Sequence, residues 1–393
     1  MIKYLITMIK YLVINGGGPT GLMSYGSLKY LFQHEFVKLE NIHAIYGTSI
    51  GAILGVIISL NYDWKTLDDY LLKRPWNKVF TLEPHDFFEM YSTKGLFQFN
   101  LVEELLKPLL TAKDLSETIT LKEFYEYTKI DLHCYTVEMN SFQKVDLHHS
   151  SYPELSLIKA LEMTSAVPVL FKPVFHQNKC YVDGGFFDNY PVNECLENEN
   201  CDINEILGIR NKWSNKETVI NGDMNLFQYL QSSFHQIVKH IQKENVSKTL
   251  IYEIKCLCDT DLSDYTNWLD YMTHREKIAE LVEKGQQYGE LFLNYEKEMK
   301  CRTNIRKDSN VEENKPSADQ EDQENKSSAD QEDQENKPSA DQEDQEDKPS
   351  SDTQDQEDKP SADTQDQEDK PSVDTQDQEN KPSVDEKDDM HNH

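Results

Sequence analysis

Three segments of this 393-residue chain hold residue types that suit acyl transfer. Gly47-Thr48-Ser49-Ile50-Gly51 is a G-x-S-x-G pattern, set between a short apolar run, Ile42–Tyr46, and an apolar stretch of helical length, Ser49–Leu60. Strand, tight turn and helix in that order make a nucleophile elbow: glycines relieve the crowding, and the serine stands at a helix N-terminus. Gly16-Gly17-Gly18-Pro19-Thr20-Gly21 follows the apolar run Tyr11–Ile14. Consecutive glycines leave backbone N–H groups uncovered, able to donate to an oxyanion. Asp183-Gly184-Gly185 closes a third run, Lys179–Val182. A carboxylate there can take the serine proton directly, as general base without a histidine.

Each segment also has a plainer reading. The glycine segment is not a P-loop, because Leu22-Met23 follows Gly21 where Lys-Ser/Thr is needed. Nor does it fit a dinucleotide fingerprint, because the second strand leads into Gly47-Thr48 and not to an acid. A glycine turn remains open for it. Asp-Gly-Gly alone is most often a turn.

The elements that would carry these residues alternate. Tyr11–Ile14, Ile42–Tyr46, Lys179–Val182 and Ile206–Ile209 read as strands, and Leu132–Val137 with Phe142–Leu147 as a hairpin. Gly21–Gln33, Ser49–Leu60, Leu155–Thr164, Leu226–Ile241 and Leu269–Leu293 have helical spacing. This order predicts a mostly parallel sheet with helices on both faces, and chemistry in the loops after strand ends.

Together, GGGPTGL (Gly16–Leu22), GTSIG (Gly47–Gly51) and DGG (Asp183–Gly185), with Thr164-Ser-Ala-Val-Pro168 and Asp188-Asn-Tyr-Pro-Val192, resemble the patatin-like phospholipase family. The resemblance runs from about Tyr11 to Glu197. It implies a three-layer α/β/α sandwich and a Ser–Asp dyad, with Ser49 as nucleophile and Asp183 as proton acceptor. Gly17 and Gly18 would supply the oxyanion N–H groups, within the loop Gly16 to Gly21. Gly47 and Gly51 would form the elbow, and Gly184 and Gly185 would support the aspartate. The implied activity is phospholipase A or lysophospholipase hydrolysis of lipid carboxylic esters, with no metal and no cofactor. Family members often carry Arg or Lys where this chain has Thr20, which would bear on headgroup preference. Two rivals stand beside this reading. One is an α/β-hydrolase esterase or thioesterase with a Ser–His–Asp triad, drawing on His235, His240 or His274, although Asn15 stands where its loop should open with His. The other is an inactive lipid-binding module.

Charge divides the chain. The whole carries a formal −31, and 31 acids against 8 lysines from Asp308 to His393 place −23 of it in the tail, leaving −8 on the body. Such a balance argues against nucleic acid as a partner. From Asn314 to Met390 an 11-residue unit repeats, from NKPSADQEDQE to NKPSVDEKDDM. Its prolines exclude a coiled coil and its composition predicts disorder over 308–393, as a solvating tail or as an electrostatic brake on binding anionic lipid. The expected organisation is a catalytic core over 11–197, strands and helices over 198–300 packing on it, and the tail.

Seven irregularly spaced cysteines suggest a reducing compartment, and Cys256-Leu-Cys258 suggests ordinary strand cysteines. Lys3 and Lys10 interrupt the apolar N-terminus, so neither a signal peptide nor a spanning helix is expected; the localisation expected is cytoplasmic, with peripheral membrane contact. The MIKYL at Met1 recurs at Met8, a second candidate start. The aromatic stretch Trp76–Phe99 suggests core, or a lid or acyl-chain wall; the Leu226–Ile241 helix suggests core packing, or a membrane-surface contact. The twelve histidines show no zinc spacing, and His148-His149 reads as an exposed hairpin end.

Overall fold

The computed structural model describes residues 8–80, 83–97, 101–213, 220–244, 248–258 and 265–312. These residues belong to one compact unit. The repeat, Phe99 and the first of the two MIKYL segments lie outside the described residues.

Among the described residues there are ten strands: β1 (Tyr11–Ile14), β2 (Ala44–Thr48), β3 (Gly95–Phe97), β4 (Asp131–Glu138), β5 (Gln143–Leu147), β6 (Val169–Phe171), β7 (Val174–His176), β8 (Lys179–Asp183), β9 (Ile206–Trp213) and β10 (Tyr252–Cys258). Eight build the central sheet, in the order β10-β9-β1-β2-β4-β8-β7 with β5 also on β4; β3 and β6 pair separately. The sheet is mixed, with more parallel pairings than antiparallel ones, in keeping with the mostly parallel sheet that the sequence predicts. The pairings among β10, β9, β1, β2 and β4 are parallel. Those of β4 with β5 and β8, and of β8 with β7, are antiparallel. For two of these pairings the reason is local: short turns join β4 to β5 and β7 to β8, too short for the crossover that parallel pairing needs.

The strands alternate their buried faces. Leu12, Ile14, Ile45, Leu132, Cys134, Leu207 and Ile209 join one core cluster, together with helices α1 (Gly21–Gln33) and α2 (Ile50–Ser59). Tyr11, Val13, Ala44, Tyr46, Tyr135 and Ile206 join a second, with Val192 and Cys195 of the helix Val192–Glu199. Burial on both faces is why these strands read as unbroken apolar runs. It also gives the three layers.

Residues 198–300 do more than pack on the core, because β9 and β10 extend the central sheet beside β1. The helix expected over Leu269–Leu293 is two helices, Tyr265–Thr273 and Arg275–Glu312, meeting at His274. They serve different contacts: Trp268 of the first enters an aromatic cluster with Phe80, Phe97 and Phe171, while the second packs along α1. The second helix continues to Glu312, past the tail boundary expected at Asp308. Cys256 and Cys258 lie buried on β10.

Candidate active site

The glycine segment leaves β1 and the elbow leaves β2, so both start at the same end of adjacent parallel strands. β4 supplies the rest of the frame. One edge of it carries β2 up to the Thr48–Tyr135 pair, and the next residue, Thr136, pairs with Asp183 at the end of β8. The other edge of β4 carries β5 across the same residues. β2 and β8 therefore lie end to end along one strand and run toward each other. The chain leaves β2 into Ser49 and leaves β8 at Asp183, so the serine and the carboxylate meet where the two strand ends meet.

Ser49 holds a backbone conformation of φ 56°, ψ −126°, which side chains rarely adopt. Its N–H donates to Thr164 Oγ1 at 2.9 Å, and the Thr164 hydroxyl donates to the Tyr135 carbonyl. Thr164 thus ties the elbow to β4. Gly47 is the next-to-last residue of β2 and Gly51 lies in the first turn of α2, flanking the serine as the sequence predicts.

Asp183 is fully buried, and its Oδ1 accepts the Gly185 N–H at 2.7 Å. Burial pushes its carboxyl up to about 6, against opposing contributions from the Gly185 N–H and the Ser49 hydroxyl. Its Oδ2 is buried with no hydrogen bond of full geometry, so the contact with Ser49 is a loose one. A loose contact is usual for catalytic pairs without substrate. Gly184 lets the chain turn against β4: a Cβ on it would lie 2.1 Å from the Tyr135 carbonyl oxygen.

On the facing side, the Gly16 N–H donates to the Asn189 carbonyl at 3.0 Å, and the Asn189 side chain donates back to the Gly16 carbonyl at 3.2 Å. Thr20, the departure from the family pattern, is buried and donates to the Gly17 carbonyl at 2.9 Å. It closes the turn from inside, a role that needs a short hydroxyl side chain. Gly21 opens α1. Gly18 has φ +56°, and a Cβ there would lie 2.6 Å from Trp268 Nε1. Among the described residues, no acceptor takes the N–H of Gly17 or Gly18.

Sequence reasoning brought Ser49, Asp183 and the glycine segments together, and the fold does the same. It missed the bracing by Thr164 and the wall that Trp268 makes, which no local pattern marks. Of the nominated histidines, His274 pairs with Asp270 on the surface at 2.9 Å, and His235 and His240 lie exposed on the Leu226–Glu244 helix. The aromatic stretch divides: Trp76, Phe80 and Phe97 are core, while Phe88 and Tyr91 are largely exposed.

Residues 12–196 match the family model of the patatin-like phospholipases. This stretch is a patatin-like phospholipase domain. The mixed sheet with flanking helices is the patatin-like α/β fold. A curated relative is the "Probable lipid hydrolase 463L" of Invertebrate iridescent virus 6, 23% identical over 277 residues, which are 70% of this chain and 89% of the viral protein. Among solved structures, VipD of Legionella pneumophila is 16% identical with a TM-score of 0.42, over 73% of this chain and 67% of VipD. The type III effector ExoU of Pseudomonas aeruginosa is 12% identical with a TM-score of 0.38, over 73% of this chain and 53% of ExoU, so the alignment spans about half of that protein.

Proposed function

We propose that this chain is a lipid acyl hydrolase that cleaves carboxylic esters through a Ser49–Asp183 dyad. The observation that carries the proposal is the contact between the Ser49 hydroxyl and the buried Asp183 carboxylate, one oxygen of which is unpaired. A carboxyl held near 6 is ionised at neutral pH and still basic enough to accept a proton. The "lipid hydrolase" description of the viral relative supports the substrate class.

In this mechanism Ser49 Oγ attacks the ester carbonyl and its proton passes to Asp183. The oxyanion lies against the uncommitted N–H groups of Gly17 and Gly18. Collapse of the tetrahedral intermediate expels the alcohol, which leaves with the proton from Asp183. Water then attacks the acyl-serine, giving its proton to Asp183, and Ser49 is regenerated as the fatty acid departs. The finer activity we infer is phospholipase A or lysophospholipase.

The molecule has a surface suited to a lipid interface. The Leu226–Glu244 helix buries Phe227, Gln231 and Ser232 but exposes Leu226, Tyr229, Leu230 and Ile237 along one stripe. Phe87 packs against Phe227, placing exposed Phe88 and Tyr91 nearby. From Leu226 to Lys243 this strongly acidic chain has no Asp or Glu. Gln242 of the same helix donates to the Gly185 carbonyl, next to Asp183. An apolar stripe without acids, anchored at the site, fits peripheral contact with anionic lipid. Among the described residues, no helix is long and apolar enough to cross a membrane.

The test is fatty-acid release from mixed phospholipid vesicles. Wild type should release fatty acid, and Ser49→Ala and Asp183→Asn should each lose at least about 10³-fold. Undiminished release by either variant overturns the dyad.

A further inference from the structure

The face of the sheet away from α2 carries a second group of chemically active side chains, at the β4–β5 hairpin. His133 points from β4 with its ring stacked on Tyr46 at 4.1 Å and on His148 at 4.5 Å. Its Nδ1 lies 2.8 Å from Asp146 Oδ2, which also accepts the Tyr135 hydroxyl at 3.0 Å. Its Nε2 faces Asp131 Oδ2 at 3.5 Å. His148 Nδ1 lies 3.9 Å from Asp131 Oδ1 and is buried with no hydrogen-bond partner. One donor atom from each of Asp131, His133 and His148 falls within 4.8 Å of the others. None of these residues enters the ester chemistry.

We propose that Asp131, His133 and His148 bind a single divalent transition-metal ion of the zinc class. Two imidazoles and a carboxylate are ligands of that class. Donors around a tetrahedral zinc sit roughly 3.3 Å apart at bonds of about 2.0–2.1 Å; here Asp131 lies 3.5 and 3.9 Å from the two histidines and the three donors span no more than 4.8 Å, so binding draws them together. The surrounding residues orient the ligands. Asp146 on Nδ1 of His133 leaves Nε2 for the ion, the usual carboxylate–histidine–metal arrangement. His149 Nδ1 holds Asp131 Oδ1 at 2.8 Å, and its own ring stacks on Tyr125. Entry is open: His133 is 5% exposed, but Asp131 and His148 are 24% and 23% exposed at the mouth. The stacked ring of His148 must turn to present its nitrogen, and its partial exposure allows that.

A proton is the competitor. An imidazole binds a metal ion only through an unprotonated nitrogen, so a bound ion displaces any proton from His133 Nε2. Once bound it would tie β4 to the loop after β5, and so stiffen the strand against which both Thr48 and Asp183 pair.

The experiment is titration of the chelator-treated full chain with Zn2+ and Co2+ near neutral pH, by calorimetry, Co2+ absorption and thermal melting. One ion per chain, a four-coordinate Co2+ spectrum and a raised melting point are expected. His148→Ala and Asp131→Ala, both at partly exposed positions, should each weaken binding at least about tenfold while circular dichroism is unchanged. No binding by wild type overturns the proposal. So does binding that survives His148→Ala but is lost in His85→Ala, which would place the ion at the surface group His85, Asp86 and Glu89.

Discussion

Thr48 and Asp183 pair with consecutive residues of one strand, Tyr135 and Thr136, although they arrive from opposite directions along its edge. This register brings a hydroxyl and a carboxylate that are 134 positions apart in sequence, at Ser49 and Asp183, to one point. β4 acts as a rail. Displacing either strand by one residue would turn its side chains to the other face of the sheet and part the pair.

The buried carboxyl makes activity and stability depend on pH in opposite senses. Asp183 is pushed from an ordinary 3.8 to about 6, so the folded protein holds this proton more tightly than the unfolded chain. Its contribution to stability is present below the ordinary value and is lost as pH rises through about 6. Ester hydrolysis should rise through the same window and then level. Asp183→Asn should be inactive yet more stable at neutral pH, by up to about 3 kcal/mol. Rate profiles and denaturant melts of both proteins check this, and a rate flat from pH 4 to 8 would contradict it.

Ser49 occupies a backbone region that glycine adopts freely. Ser49→Gly should therefore abolish hydrolysis while raising stability by about 1 kcal/mol, because it removes strain along with the nucleophile. Ser49→Ala should abolish hydrolysis without that gain. Parallel thermal melts of the two variants separate strain from the loss of the hydroxyl.

Thr164→Val removes the acceptor for the Ser49 N–H and the donor to the Tyr135 carbonyl, leaving both backbone groups buried and unpaired. A loss of about 1–3 kcal/mol of stability is expected. The kinetic effect should fall on kcat, with KM little changed, because Thr164 is fully buried and positions the nucleophile. An unchanged kcat would show that the elbow holds itself.

The lipid-facing stripe has its own signature. Leu230→Asp combined with Ile237→Asp should weaken binding to anionic vesicles at least about tenfold, while hydrolysis of a water-soluble ester stays at the wild-type rate. Deletion of residues 313–393 should strengthen vesicle binding if the acidic repeat acts as a brake, most visibly at low salt. Unchanged vesicle binding in both variants removes the interfacial reading.

Much of this was legible in the residues, because the elbow and glycine loop are local devices: their glycines, strands and helices adjoin in sequence. Gly21–Gln33 was read to the residue, and both strands of the hairpin to within a residue at each end. What escaped was pairing at long range. The Leu132–Val137 run announced a hairpin, but nothing in it shows that β2 and β8 share its free edge. The histidine group escaped for the same reason. Asp131 and His133 alternate on one strand and His148 faces them from the other side of the hairpin, so their spacing looks like no zinc motif until the register is known. The break at His274 carries neither Pro nor Gly; it follows from where Trp268 has to pack.

The most direct test of the dyad is labelling with a fluorophosphonate ester, with the modified residue mapped by mass spectrometry. The account predicts a single adduct on Ser49 that is absent in Ser49→Ala and forms at least about 10²-fold more slowly in Asp183→Asn. An adduct on another serine, or labelling of Asp183→Asn at the wild-type rate, would contradict it.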